Sequence, residues 1–124
     1  MSNMQTQVDA LKDKMLQKSY YVMTRQMLDP SKLAPVMLEH YQWMIKLEQD
    51  NRVFASGPMF KEDGSKGVGL TIFRVESFEE ARCFAKQDPF VTSGAVDFEL
   101  QRWQLNEGRI NVAINFSDQT YNFS

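Results

Sequence analysis

Between Ser19 and Leu105 the chain reads strand, helix, strand, strand, helix, strand, and that order leaves few folds open. Ser19 to Arg25 is dense in β-branched and aromatic residues and reads as a first strand. Asp29, Pro30 and Ser31 break it. Leu33 to Gln49 then reads as a helix: at about 100° per residue, Leu33, Val36, Met37, Met44 and Leu47 share one stripe. Asp29 or Ser31 can cap that helix, and Pro35 is tolerable in its first turn. Asn51 suits its stop, because asparagine accepts the left-handed conformation. Arg52 to Phe60 reads as a second strand. Gly57 and Pro58 interrupt it and mark an edge, a bulge or a strand end, since proline donates no ladder bond. The polar turn from Lys61 to Gly67 leads to a third strand, Val68 to Val75, whose apolar run suits a central position. Ser77 and Glu80 match a capping box for a helix presenting Phe78, Ala81, Phe84 and Ala85, and Asp88 before Pro89 ends it. Thr92 to Gly94 is a turn. Ala95 to Leu105 alternates apolar and polar residues, as an amphipathic strand near an edge does.

This is the ferredoxin-like βαββαβ arrangement, an α+β fold with an antiparallel four-stranded sheet and two helices on one face. A length of 124 residues suits one domain. The spacing divides it into an N-terminal amphipathic arm over 1–18, the ferredoxin-like domain over 19–106 and a C-terminal extension over 107–124. Met4, Val8, Leu11 and Met15 make the arm's stripe, which packs on the domain or on a partner subunit. Ile110 to Phe116 could form one more strand, and the polar tail from Ser117 is expected to be ordered only if tethered. The second sheet face has no cover within the chain. A bare face is a large apolar patch, so a homodimer packed sheet to sheet, or a higher oligomer, is expected.

The net charge of -2 gives no reason to expect a nucleic-acid partner. No apolar run approaches the roughly 18 residues of a membrane span, and the N-terminus lacks the regions of a secretory signal. Cys83 is alone, so no internal disulfide forms, and it is read as packing. One cysteine and one histidine make a zinc site unexpected, so no metal and no cofactor is assigned. Together these point to a cytoplasmic protein.

His40 is the sole histidine, and it falls near the centre of the apolar stripe of the first helix. It is either a satisfied core histidine or a working group facing a pocket. Asp88 is its natural partner, because both helices of a split βαβ fold lie on one sheet face. An imidazole held by a carboxylate has a defined tautomer and a second nitrogen able to move a proton. The plainer reading of Asp88 is a helix terminator bonded to local backbone. Ser56 either supplies a hydroxyl beside the pair or bonds within its strand. Met37 and Met44 shape an adaptable apolar wall. Tyr41 and Trp43 read as rim or core aromatics. Arg25 either binds an anionic substrate group or is an ordinary surface arginine.

His40, the stretch Ser56 to Met59 after it, and Ala85 to Phe90 with Gly94 behind resemble the YciI-like family of the dimeric α+β barrel superfamily, which includes muconolactone isomerases. The resemblance runs from about Tyr20 to Leu105. It implies a His–Asp dyad at a pocket, falling by position on His40 and Asp88, with Gly57 and Pro58 beside it. Family members include small enzymes of aromatic degradation, among them ones that remove HCl from chlorinated hydroxyquinols. The arm and the tail after Glu107 depart from the family core.

The function these residues suggest is cofactor-free proton transfer, of lyase, isomerase or dehydrochlorinase type, on a small hydroxylated or chlorinated aromatic or a lactone. His40 would be the general acid or base and Asp88 its orienting carboxylate. Arg25, Met37, Met44, Ser56, Gly57 and Pro58 would hold the substrate. The rival readings are a non-catalytic metabolite-binding protein and a dimeric accessory protein with a structural His40. A working histidine needs one nitrogen free of protein partners and open to a cavity, whereas a structural one has both satisfied.

Overall fold

The computed structural model describes residues 2–124. The elements are α1 (Asn3–Lys12), β1 (Lys18–Met27), α2 (Met37–Gln49), β2 (Val53–Phe60), β3 (Lys66–Phe73), α3 (Phe78–Ala85), α4 (Pro89–Thr92), β4 (Val96–Leu105), β5 (Val112–Asn115) and β6 (Thr120–Phe123). They fall into two compact units, Ser19–Gln104 and a second formed by residues 2–18 with Leu105–Ser124.

The first unit holds the four-stranded antiparallel sheet, ordered β2-β3-β1-β4, of the ferredoxin-like fold. β3 is central, as its apolar run requires, and β4 and β2 are edges. β2 carries register shifts between Val53 and Ala55 and between Pro58 and Phe60. The edge position and the bulge are how the strand accommodates a proline that donates no ladder bond.

Tyr21 lies opposite Phe73 and Met23 opposite Thr71, so these four side chains share one face. On that face Tyr21, Met23, Val53, Phe73 and Val75 pack with Leu47 of α2 and Ala81 and Ala85 of α3. Two alanines at i and i+4 let α3 approach the sheet closely. Ser77 caps α3, its hydroxyl accepting from Glu80 N–H at 3.1 Å. The return arm of the capping box reaches one residue further back, with Glu80 Oε2 accepting from Glu76 N–H.

α2 begins later than its periodicity suggests. Two 3-10 turns, Pro30–Lys32 and Ala34–Val36, precede it. Pro35 has no N–H for an α-helical bond, so this stretch closes with the tighter Leu33 N–H to Pro30 and Val36 N–H to Leu33 bonds. Asp29 caps the first 3-10 turn rather than α2, accepting from Ser31 N–H. The stop is as expected, with Asn51 at φ 62°. Cys83 corrects the packing reading: it is exposed on α3.

In the second unit α1 has no buried residue, with Met4, Val8 and Leu11 all exposed. β5 falls where one extra strand was expected. The tail supplies its partner, β6, through a turn in which Asp118 accepts from the N–H and hydroxyl of Thr120. No helix among the described residues is long and apolar enough to cross a membrane.

Candidate functional site

The apolar stripe of α2 divides at His40. Leu47 enters the core, while Met37, His40 and Met44 line a cavity of about 910 Å³. The opposite wall is β2 and β3, from Ser56 to Phe60 and from Lys66 to Gly69, and Phe90 and Val96 complete it. Exposed Tyr41, Met59 and Phe60 stand at its rim.

Asp88 organises the polar side of this cavity. The structure realises both readings of it at once. Its carboxylate caps α4, Oδ1 accepting from Phe90 N–H at 2.9 Å, and the same oxygen meets His40 Nδ1 at 2.7 Å. Oδ2 accepts from Arg25 Nε at 2.9 Å. Asp88 is fully buried, and burial is the largest single influence on it, pushing the carboxyl up. The His40 hydrogen bond, the Arg25 charge, that of His40 when it is protonated, and the Phe90 N–H together outweigh burial and hold it below the ordinary 3.8. Asp88 is therefore an acceptor-only carboxylate, which places the neutral imidazole's proton on Nδ1 and its lone pair on Nε2.

Nε2 has no protein partner among the described residues, and His40 lines the cavity. The ring plane is fixed by Phe90, stacked on it at 3.8 Å between centroids and 10° between planes. Tyr41 meets the ring edge-on at 5.4 Å. The histidine thus has one nitrogen held and one open, the arrangement a structural histidine would not need.

Arg25 corrects the surface reading. It is 4% exposed and is fixed by Asp88 and by Thr71, its Nη1 donating to Thr71 Oγ1 at 3.0 Å. Its Nη2 is buried with no partner among the described residues. Ser56 bonds within its sheet, to Leu70 O and Thr71 Oγ1, and it lines the cavity. Gly57 and Pro58 line the same wall, with Met37 and Met44 facing them. Tyr41 is a rim aromatic, and Trp43 packs against the core.

Sequence reasoning passed over Thr71 and Phe90. Thr71 sits on the core-facing side of β3, in register with Met23, where a polar side chain needs a buried partner. That alternation is the signal that could have found it. Phe90 offered no periodicity, since α4 is four residues long. No cluster of three or more metal-ligating side chains occurs among the described residues. No acidic side chain lines the cavity among the described residues, whereas Arg25, Lys61 and Lys66 do.

Residues 15–104 match the family profile described as the YCII-related domain. An uncharacterized protein, YjpA of Bacillus subtilis (strain 168), is 28% identical over 68 residues, 55% of this chain and 75% of that protein. Among solved structures, 5-chloro-2-hydroxyhydroquinone dehydrochlorinase (TftG) from Burkholderia phenoliruptrix AC1100, in complex with 2,5-dihydroxybenzoquinone, superposes with a TM-score of 0.57. That match is 20% identical and covers 68% of this chain and 92% of the other, a likeness of fold.

Proposed function

The chain belongs to the YCII-related domain family, and on that premise we propose that it is a proton-transfer enzyme acting on a small hydroxylated or chlorinated ring compound. The observation that carries this is His40 Nε2, free of protein partners at a cavity wall while Nδ1 is held by a buried carboxylate. In the proposed step the Nε2 lone pair takes a proton from a substrate O–H. The electron pair stays on the substrate as a phenolate or enolate, and Asp88 stabilises the imidazolium that forms. Returning that proton to a ring carbon gives the ketone tautomer, an isomerisation. From a chlorinated hydroquinol, where that carbon bears the chlorine, loss of chloride and of the second hydroxyl's proton leaves a quinone, net removal of HCl with no oxidant.

Two further features support this reading. The developing negative charge would sit among Arg25, Lys61 and Lys66, with no acidic side chain in the described wall. The methionine, leucine and phenylalanine surfaces suit an apolar ring, and the cavity volume lies in the range of small-molecule sites. The dehydrochlorinase of like fold makes chlorinated hydroquinols the first compounds to try. Incubating the protein with chlorinated and unchlorinated hydroxyaromatics and small lactones, while following chloride release and absorbance, tests the assignment. Turnover that disappears in His40→Ala supports it. Binding with no turnover of any compound would assign the cavity to metabolite binding instead.

The same reading includes a homodimer. Val22, Leu70 and Ile72 lie on the sheet face away from α2 and α3, together with Trp103, which is 38% exposed. Two such faces packed together would remove that apolar surface from water. Sedimentation at micromolar concentration should show a dimer, and a purely monomeric boundary would contradict it.

A further inference from the structure

Protons on the hydroxyls beside the dyad can be placed one by one. Arg25 Nη1 donates to Thr71 Oγ1 at 3.0 Å. Thr71 is fully buried, and Ser56 Oγ, at 2.9 Å, is the acceptor available to its own proton among the described residues. Ser56 in turn donates to Leu70 O at 3.0 Å. Reversing the middle bond would leave the Thr71 proton buried without an acceptor, which native structures avoid. The relay therefore runs in one direction, from the Arg25 guanidinium through Thr71 and Ser56 to the Leu70 carbonyl.

The consequence falls on the cavity. A serine oxygen has one proton and two lone pairs. Here the proton is committed to Leu70 and one lone pair to Thr71. The remaining lone pair can only accept. His40 Nε2, in its neutral state, also only accepts. The wall that carries Ser56 includes the backbone of Gly57, Gly67 and Gly69. Gly69 faces the Arg25 side, where a Cβ would stand 3.6 Å from Nη1.

We propose that Ser56 is a specificity-determining residue that accepts a hydrogen bond from a second donor on the ligand, so that the cavity selects flat compounds carrying two O–H or N–H donors. One donor meets His40 Nε2 and the other meets Ser56 Oγ. This deepens the proton-transfer reading and rests on it for the first donor. It also excludes Ser56 as a nucleophile in the resting site, because no base partners its hydroxyl.

Direct binding titrations test it on the full-length protein. The probes are catechol, resorcinol and hydroquinone, each monomethyl ether, phenol, and 4-aminophenol as the N–H arm. The best diol should bind wild type about tenfold tighter than its monomethyl ether and than phenol, the worth of one hydrogen bond. Ser56→Ala should bring both ratios close to one while phenol binds as before. Ser56→Thr keeps the oxygen and should keep the preference. Thermal melts of each variant accompany the titrations, and the wild-type ratios need no variant at all. A wild-type ratio near one, a preference that survives in Ser56→Ala, or no binding by any diol overturns the assignment. A wild-type protein without diol preference but with His40-dependent turnover sinks the role of Ser56 alone. A His40→Ala enzyme as active as wild type sinks the proton-transfer reading, whatever the diols do.

Discussion

His40→Ala should lower turnover about 10²–10⁴-fold, the usual worth of a positioned acid or base, and leave the protein folded. The expectation follows from what the ring contributes. The catalytic role proposed for it rests on the open Nε2, while its structural contribution is one bond to Asp88 and the stack on Phe90. Asp88 keeps Arg25 and the Phe90 N–H when the ring is removed, so its charge is not stranded. The stability cost should stay near the value of one hydrogen bond with some lost packing, about 1–3 kcal/mol. Melting temperature and turnover measured on the same samples check both halves. A variant that melts far lower yet retains activity wherever it stays folded would show His40 to be part of the core.

Asp88→Ala should be the most destabilising single change in the site. Arg25 is 4% exposed, and removing its partner leaves a buried cation with Thr71 as its remaining side-chain contact. Breaking a buried pair from one side costs about 3–5 kcal/mol. Replacing both members, with Arg25→Met and Asp88→Leu, should recover much of that loss, because the desolvation penalty goes with the charges. Urea melts of the single and double variants separate these contributions, and a loss under about 1 kcal/mol in Asp88→Ala would contradict the account. Acid unfolding carries the same signature. The folded pKa of Asp88 lies below its ordinary 3.8, so its ionised form stabilises the protein at every pH above 3.8. That contribution drains away as pH falls through the lowered value. Asp88→Asn should therefore be weaker at neutral pH and lose less on acidification.

The βαββαβ order was legible because each element carried its own period and its own punctuation. Ser77 and Glu80 opened one helix, Asn51 closed the other, and Gly57 with Pro58 marked an edge strand with a bulge. The start of α2 was not legible from periodicity, because Leu33 and Val36 fit the helical stripe while Pro35 forces tighter turns. The C-terminal hairpin was half legible. Its turn uses Asp118 with Thr120, the same pattern that Asp29 makes with Ser31 and Asp63 with Ser65. An aspartate two residues before a serine or threonine is a local turn device that needs no core.

The site was legible by type more than by connection. His40 stood out because a titratable ring on an apolar stripe demands a reason. Arg25 did not, because one arginine at the end of a strand is ordinarily exposed. What buries it is Asp88, 63 residues away, and no local pattern announces so distant a partner. Ser56 was named, but its link to Thr71 was hidden for a related reason. Their joint meaning lies in which hydroxyl keeps its proton, and that depends on an arginine from a different strand.

The central claim is that His40 holds its proton on Nδ1 against Asp88 and offers the Nε2 lone pair to the cavity. A single histidine makes this directly measurable by nitrogen-15 NMR of the labelled imidazole, free and with a hydroxylated aromatic bound. For the neutral imidazole the account predicts a protonated Nδ1 that barely responds to the ligand and an Nε2 whose resonance moves as the ligand donates to it. A proton resident on Nε2 in the free protein, or an Nε2 resonance indifferent to every compound that binds, would contradict it.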